Sequence, residues 1–229
     1  MIKKSIIYYT DNSCDEKILK ICQKQLLECV NENEIISVSH KPICFGSNIV
    51  MDVPRCSISI FKQIYEGLKK ANGDIIFLVE HDVLYHPNHF ENIEIERALF
   101  YYNQNRYQVD WNTGTALFRR TLCTSHLIAD REKLINYFNS FFAIVNDIGY
   151  SKSKMGFAPA THKFIKGFSI KKFMSECPNI DIRHNNNWTK TRWRKEEYKD
   201  KNAIQDWRFV EEIPYWGKPM EVFKNLLEN

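Results

Sequence analysis

Two carboxylates stand at an abrupt change in the character of the chain. Segment 75–87 reads IIFLVEHDVLYHP, so an apolar run ends directly in Glu80 and Asp82. Side chains alternate along an extended chain, so positions two apart face the same way. Paired carboxylates are the hard oxygen ligands that Mg²⁺ or Mn²⁺ takes, usually together with waters and substrate phosphates. The pattern predicts a divalent-cation site, although a solvated surface turn would show the same spacing.

Alternating strand and helix patterns in the first ninety residues predict where these carboxylates lie. Strands are predicted at 5–9, 34–39 and 74–79, and helices at 15–30 and around 61–68, with a loop over 40–53. This order is typical of a parallel sheet with helices on its faces. Ligands of such sheets bind at the carboxyl ends of the strands. Glu80 and Asp82 follow one such end, and Thr10, Asp11 and Asn12 follow another.

The rest of the chain has weaker periodicity. It predicts a helix at 90–102, strands at 107–110 and 116–118, a strand at 125–129 running into a helix from 130 to about 146, a loop-rich segment from 149, a strand at 179–183 and a helix at 220–227. Asp130 is placed to cap the helix that follows it. The whole chain, 1–229, is predicted to form one domain.

Composition limits the classes of protein without selecting one. The 229 residues are 44% hydrophobic, enough for one sizeable core, and the net charge of +4 tolerates anionic partners without demanding them. The seven cysteines form no Cys-x-x-Cys pair, and their spacings match no zinc site, which favours reduced thiols and a cytoplasmic location. The apolar run after the first lysines is too short for a signal peptide, and no run reaches the ~18 residues of a membrane helix, so no integral membrane segment is expected.

The first ninety residues resemble the nucleotide-sugar half of GT-A fold glycosyltransferases. The segments that carry the resemblance are SIIYYTDN, a helix preceded by VPRCS, and ANGDIIFLVEHDVLYHP. In that superfamily a Gly or small residue, an Asp and an apolar strand lead into an acid-x-acid motif that binds metal and diphosphate. Gly73, Asp74, Glu80 and Asp82 match this order, with Glu where the family usually has Asp. The remaining residues match only loosely.

The resemblance implies a fold and a reaction. The fold is α/β, with a mixed, mainly parallel sheet and helices on both faces, in which 1–90 bind the nucleotide sugar and 91–229 form the acceptor half with a C-terminal extension. The reaction is metal-dependent transfer of a sugar from a nucleoside diphosphate sugar to a hydroxyl acceptor. The cofactor is Mn²⁺ or Mg²⁺, held by Glu80 and Asp82.

The same resemblance suggests donor-binding residues near the first strand. Thr10, Asp11 and Asn12 would lie against the nucleoside, and Arg55 would contact donor phosphate or the strand-end carboxylates. A turn that caps the first helix explains the first three equally well, and a solvated surface arginine explains Arg55.

Later residues complete the expected site. His184, after the strand at 179–183, corresponds to the late histidine that these enzymes often bring back to the metal, and Asn187 and Arg192 offer donors to phosphate. Asp110 is the candidate catalytic base, and Trp111 offers an aromatic face for the sugar; a buried tryptophan at a strand end is the alternative. His81 is expected to point away from the carboxylates, and Tyr85 and His86 to act as scaffolding. No acidic pair in 146–162 matches the family's usual base, which leaves the stereochemical outcome open.

The acceptor has several candidates. Segment 188–201, WTKTRWRKEEYKDK, interleaves aromatic and basic residues, a pattern that can stack bases and contact phosphates. The chain also resembles, more weakly, glucosyltransferases of hydroxymethylated pyrimidines in DNA. A glycan or lipid-linked acceptor is the alternative. A sugar nucleotidyltransferase usually has a Gly-rich basic loop after the first strand, which TDNSCDEK lacks, and a non-catalytic binding module is the third alternative.

Overall fold

The computed structural model describes residues 2–30, 33–91, 94–151, 158–162, 164–198 and 204–228. Within these ranges the elements are, in chain order, β1 (Lys4–Thr10), α1 (Glu16–Val30), β2 (Glu34–Ser39), β3 (Ser47–Val50), α2 (Ser57–Lys70), β4 (Ile75–Glu80), β5 (Val83–Leu84), β6 (Leu99–Asn103), β7 (Arg106–Asp110), β8 (Ala116–Arg120), β9 (Leu127–Asp130), α3 (Arg131–Ile148), β10 (Ser169–Phe173), β11 (Asn179–Arg183), β12 (Gln205–Val210) and α4 (Pro219–Glu228). No helix among the described residues has the length and apolar character needed to cross a membrane.

Seven strands form the larger sheet, in the order β10-β6-β9-β4-β1-β2-β3. All neighbours are parallel except those of β9, which runs antiparallel to β4 and β6. The continuous apolar character of β4 is explained by coverage on both sides, as is typical of parallel sheets. Helices α2 and α3 pack on one face and α1 on the other. The predicted fold class, a mainly parallel α/β sheet with helices on both faces, is confirmed.

A second sheet of five strands has the order β12-β8-β7-β11-β5, and its pairs are antiparallel except β7 with β11. One face is apolar: Val109 and Ile182 belong to a core that includes Ile18 of α1 and Phe223 of α4. Helix α1 therefore packs against both sheets, and the sequence did not predict this second, mostly antiparallel sheet.

Strand register brings the functional segments to one place. Tyr9 of β1 is opposite Glu80 of β4, so the residues after both strands emerge side by side. Strand β5 begins directly after Asp82 and runs antiparallel to β11, and the Ile182 amide donates to the Asp82 carbonyl oxygen at 2.8 Å. The end of β11, followed by His184, therefore reaches the edge of the larger sheet.

Three predictions about elements need correction. The predicted helix at 90–102 is wrong: its last residues belong to β6, which pairs with β9 and β10. The predicted loop at 40–53 contains the edge strand β3, and the loop-rich segment after 149 contains the edge strand β10. Both edge strands are largely exposed, so they lack the apolar pattern that identifies a buried strand.

Candidate functional site

The residues after β1 form a tight turn that is fixed from the neighbouring loop. Thr10 is buried, and its hydroxyl accepts a hydrogen bond from the Asn12 amide at 3.0 Å. Asn12 has a positive φ of 60°, which asparagine tolerates better than most residues. Its Oδ1 accepts from the backbone amides of His40 and Lys41, both at 2.8 Å. Asn12 thus holds the loop after β2 against the end of β1.

Asp11 and Arg55 form an ion pair at the mouth of this turn. Asp11 Oδ1 also accepts from the amide and the hydroxyl of Ser13, at 3.0 and 2.6 Å. Burial opposes ionisation of Asp11, but the hydrogen bonds from Ser13 and Arg55 outweigh it and lower the pKa of the carboxyl. Arg55 also donates to Ser13 Oγ and to the carbonyl oxygen of Asn186, and its guanidinium lies 5.3 Å from the ring centre of Trp188. Asp11, Arg55 and Trp188 line a shallow pocket.

Asp82 is the most enclosed carboxylate of the site. Its Oδ2 accepts from Asn187 Nδ2 at 2.6 Å and lies 3.6 Å from His184 Nε2, while its Oδ1 is buried without a hydrogen-bond partner among the described residues. Burial opposes ionisation, yet electrostatic interactions with His81, Arg183 and His184 bring the pKa of Asp82 down to about 2. Asp82 is therefore an anion with one oxygen available for a ligand.

Glu80 behaves in the opposite way. Burial raises the pKa of its carboxyl well above the ordinary value, and repulsion from Asp82 and Asp181 raises it further. Two neighbouring carboxyls that differ in this way compete for negative charge, and a cation between them relieves the competition. An unpartnered buried oxygen, a second carboxyl and a nearby imidazole form a donor set that suits Mn²⁺ or Mg²⁺. Asp82 and His184 are placed for such an ion, with His184 Nε2 3.6 Å from Asp82 Oδ2, and the part of Glu80 stays a prediction. Among the described residues, the metal-binding side chains whose ligand atoms all lie within 4.8 Å of one another are Cys14, His81 and His184.

Asn187 fixes the relative positions of two of these groups. Its Nδ2 donates to Asp82, and its Oδ1 accepts from the backbone amide of His184 at 2.6 Å. With both ends of its amide engaged, Asn187 positions the acid and the imidazole. This geometry gives Asn187 a different task from the phosphate contact expected from the sequence, which stays a prediction.

Asp110 and Trp111 follow β7, beside the end of β11. Asp110 Oδ1 accepts from the amides of Asn112 and Thr113, at 3.0 and 2.9 Å, and from the Thr113 hydroxyl at 3.1 Å. These contacts hold the turn between β7 and β8. The Trp111 ring packs on Phe223, with centroids 4.7 Å apart, and also lines a cleft of about 220 Å³.

That cleft adjoins the carboxylate pair, because His184 forms part of its wall together with Asn185, Asn186 and Trp111. Arg192, by contrast, is exposed and lies 4.9 Å from the ring of Tyr198. Residues 199–201 of the basic and aromatic segment, and 152–157 within 146–162, lie outside the described residues.

Sequence reasoning underestimated two residues of this site. His81 was expected to point away from the carboxylates and to have no part in the site, but one of its ring nitrogens lies within 4.8 Å of ligand atoms of Cys14 and His184. The chain turns between β4 and β5, so the strand alternation on which the expectation rested stops at Glu80. Cys14 had no local signal, since its neighbours in space come from distant parts of the sequence.

Comparison with known proteins gives limited information. No protein-family model matches the chain, and no curated protein matches it. A glycosyltransferase involved in the glycosylation of the major capsid of PBCV-1 is similar at 8% identity and a TM-score of 0.49, over 78% of this chain and 92% of that one. S. aureus TarS 1-349 in complex with UDP-GlcNAc is similar at 14% identity and 0.48, over 81% and 60%. The bifunctional IspDF from Campylobacter jejuni is similar at 11% identity and 0.42, over 76% and 50%.

The chain thus spans about 60% of the TarS chain that it matches. At identities of 8 to 14% and TM-scores below 0.5, these similarities assign no function to the chain.

Proposed function

We propose that the chain is a metal-dependent glycosyltransferase that moves a sugar from a nucleoside diphosphate sugar to a hydroxyl acceptor. The observation that supports the proposal is Asp82 at the carboxyl edge of the parallel sheet: its Oδ1 is buried without a hydrogen-bond partner among the described residues, and its Oδ2 lies 3.6 Å from His184 Nε2. Glu80 is near enough that, besides burial, the Asp82 charge raises the pKa of its carboxyl. This edge is where α/β sheets bind their ligands. The GT-A resemblance of the first ninety residues agrees with it.

The donor is placed along the edge from β1 to β4. Asp11, Arg55 and Trp188 line a pocket of about 20 Å³, the room of a single water, so a nucleoside would bind across its mouth, beside the turn that Thr10 and Asn12 form. The Arg55 side chain is 38% exposed, so its guanidinium can direct an N–H group toward a phosphate of the sugar nucleotide. The diphosphate then points toward Asp82. In this arrangement residues 1–90 form the donor half and 91–229 form the acceptor half.

A bound Mn²⁺ or Mg²⁺ would neutralise the departing diphosphate as a Lewis acid. The protein's part is to present its ligands in fixed positions. Asn187 holds Asp82 and His184 together, and Arg183 holds the loop that carries Asn187 by donating to the Thr189 carbonyl oxygen at 2.6 Å and to the Thr191 hydroxyl at 2.8 Å. Such outer contacts orient metal ligands and tune their affinity.

The acceptor half begins at the cleft beside His184. Trp111 presents an aromatic surface there, and the volume of about 220 Å³ admits a single sugar ring. We place the transferred sugar in this cleft. Asp110 is the candidate base, but the three hydrogen bonds that its Oδ1 accepts favour a role in the turn after β7.

For the acceptor we favour the hydroxyl of a glycan or lipid-linked sugar over a DNA base. The basic and aromatic segment contains Tyr198, whose ring already has the guanidinium groups of Arg119 and Arg192 at 4.9 Å. A ring engaged in this way has less of its face available to stack on a base. Binding to duplex DNA that carries hydroxymethyl bases, lost as salt rises, would reverse this preference. All seven cysteines are unpaired, which supports a reducing compartment and hence the cytoplasm.

The test is a thermal-unfolding screen of nucleoside diphosphate sugars, with and without Mn²⁺. At about 100 times the dissociation constant, a true donor should raise the melting temperature by about 5 to 10 °C, and only with metal. Asp82→Ala should abolish the shift, while Asp147→Ala, an exposed site on α3, should keep it. A shift of equal size without metal, or none with any donor, would contradict the proposal.

The product identifies the reaction class. A glycosyltransferase releases nucleoside diphosphate from the sugar nucleotide, whereas a sugar nucleotidyltransferase releases pyrophosphate from a nucleoside triphosphate. A binding module releases neither. Measuring both products under the conditions that give the largest thermal shift separates the three alternatives.

A further inference from the structure

Three side chains from distant parts of the sequence converge beside Asp82. Cys14 lies between β1 and α1, His81 between β4 and β5, and His184 directly after β11. The Cys14 sulfur and a ring nitrogen of each histidine all lie within 4.8 Å of one another. The site proposed above uses only His184 of these three, so Cys14 and His81 have no role in it.

The cluster contains polar atoms that lack partners. His81 Nδ1 and His184 Nε2 are buried and have no hydrogen-bond partner among the described residues. The same is true of Asp82 Oδ1. His81 is 8% exposed and the His184 side chain 4%. Buried polar groups without partners are costly, and in native proteins they point to a bound water or ion. Several such atoms around one thiol indicate a ligand that binds nitrogen and sulfur together.

The chemistry of these donors differs from that of the carboxylate pair. Thiolate and imidazole select borderline and soft cations such as Zn²⁺, whereas Mg²⁺ and Mn²⁺ prefer oxygen. Three protein ligands with an open fourth position are a common arrangement for zinc.

The distances permit binding after a rearrangement of side chains. Zinc bonds of about 2.3 Å to sulfur and 2.1 Å to nitrogen, at the tetrahedral angle, place ligand atoms about 3.4 to 3.6 Å apart. Atoms within 4.8 Å of one another reach these separations by closing gaps of at most about 1.4 Å, which rotation of the three side chains can share. The long hydrogen bond of 3.3 Å from the Asn186 amide to His184 Nδ1 is a contact that such a movement can give up.

We propose that Cys14, His81 and His184 bind a Zn²⁺-class cation, and that this ion excludes the catalytic cation because both require His184. The exclusion rests on the proposed function, whereas the binding does not. On binding, a metal–sulfur bond forms and the Cys14 thiol releases its proton to solvent, so no redox change occurs. The site would therefore make the enzyme sensitive to inhibition by zinc.

Cobalt is the probe that tests the binding. The metal-free full-length protein titrated with Co²⁺ should show a thiolate-to-cobalt charge-transfer band in the near ultraviolet. Cys14→Ser should abolish the band and weaken Zn²⁺ binding in equilibrium dialysis by at least about tenfold. Cys44→Ser, which alters an exposed cysteine, should leave both unchanged. A missing band in the wild type, or a band that survives in Cys14→Ser, would overturn the proposal.

Two further variants protect the result against misfolding and against failure of the proposed function. His81→Gln retains the thiol but should also lose zinc affinity, so agreement between it and Cys14→Ser excludes a folding artefact in either one. Glu80→Gln should lose the Mn²⁺-dependent shift by a nucleotide sugar and keep the cobalt band. If no nucleotide sugar binds but the band appears, the function is wrong and the zinc site is right.

Competition tests the exclusion itself. Zn²⁺ added in stoichiometric amounts should remove the Mn²⁺-dependent stabilisation by donor in the wild type and leave it in Cys14→Ser. An equal loss of the Mn²⁺-dependent stabilisation in both proteins would show that zinc acts through the carboxylates. That result would overturn the proposal that zinc displaces the catalytic cation by binding to Cys14 and His81.

Discussion

The two sheets of this protein differ in the polarity of their faces. In the larger sheet both faces are apolar: Ile6 and Tyr8 belong to one core, Ile7 and Tyr9 to another. In the smaller sheet only one face is apolar. The opposite face is buried and polar, and carries Arg106, Gln108, Arg119, Asp181 and Arg183.

Because of this difference, the larger sheet supports the candidate site and the smaller sheet positions its side chains. A sheet that is apolar on both faces leaves only the ends of its strands for polar side chains, and in the larger sheet Glu80 ends β4 and Asp82 follows it. Side chains on the polar face of the smaller sheet donate hydrogen bonds to the neighbouring loop. Arg183 donates to two residues of the loop that brings His184 and Asn187 to Asp82. The candidate site therefore depends on the apolar sheet for rigidity and on the polar sheet for alignment.

The largest expected effect comes from removing the acid of the polar face. Asp181 contacts Arg106 Nη1 at 2.5 Å and Arg183 Nη1 at 3.5 Å, and all three side chains are buried. Asp181→Ala leaves two buried cations without their shared anion, which should lower the free energy of unfolding by about 3 to 5 kcal/mol. Urea unfolding followed by tryptophan fluorescence measures it.

A surface ion pair in the same sheet gives the matched control. Asp206 pairs with Arg120, and their side chains are 43% and 35% exposed. Asp206→Ala should cost less than about 1 kcal/mol. Similar losses for the two variants would mean that the polar face is hydrated and does not rely on Asp181.

The second prediction concerns alignment without a change of fold. Asn187→Ala removes the amide that joins Asp82 to His184 and leaves both of the proposed metal-binding side chains in place. Mn²⁺ affinity should fall by about 10 to 100 times, as is typical when an outer contact of a metal ligand is lost. Isothermal titration in the presence of a bound donor measures it.

Lys190→Ala, which truncates an exposed side chain of the same loop, should leave the Mn²⁺ affinity unchanged. If Asn187→Ala also binds Mn²⁺ normally, the smaller sheet does not align the site.

Local pattern was sufficient for the buried strands β1, β2 and β4 of the larger sheet and β7, β8 and β11 of the smaller one, and insufficient for β6 and for the exposed edge strands β3 and β10. Strand 34–39 was predicted with the bounds that the structure shows, and the Asp130 side chain caps α3 by accepting from the Lys133 amide at 3.0 Å, as expected. These features depend on neighbours in sequence. Strand β12 and the two-residue β5 depend on pairing with distant strands, and little in their own residues signals it.

The site shows the same division. Glu80 and Asp82 were predicted as a metal pair because spacing and strand end are local properties. The alignment by Asn187 joins residues far apart in the sequence and arises from the antiparallel pairing of β5 with β11. The approach of Cys14 to His81 is equally distant in sequence and follows from the parallel pairing of β1 with β4. One sign of the polar face was present: Asp181 and Arg183 are two apart in a strand, so they share a side.

The junction between the sheets should respond to acid. His89 is buried, and its Nδ1 contacts the amide nitrogens of Asn103 in the larger sheet and Asn179 in the smaller one, at 3.0 and 3.2 Å. Burial lowers the pKa of His89 to about 3 from an ordinary 6.5, so the unfolded chain takes up the proton first. The stability from the neutral ring is complete above pH 6.5 and is lost as the pH falls toward 3.

The loss from His89 should reach about 2 kcal/mol between pH 7 and pH 5. His126 contributes with the same sign, because burial lowers its pKa as well. Urea unfolding at the two pH values measures the total, and His89→Gln should reduce the difference. A stability that is equal at pH 7 and pH 5 would show that the junction is hydrated.

The smallest expected effect concerns Asp110, at the end of β7 in the smaller sheet. It distinguishes a structural role in the turn from a catalytic role as the base. Asp110→Asn keeps an oxygen that can accept from the Asn112 and Thr113 amides, so the turn and the stability should be retained. If the carboxylate only holds the turn, the rate of sugar transfer should change by less than about twofold. If it is the base, the rate should fall by about 100 times or more, since an amide cannot take a proton. The contacts of Oδ1 favour the first result, and Thr113→Ala, which removes one hydroxyl donor from Oδ1, should then disturb the turn more than Asp110→Asn does.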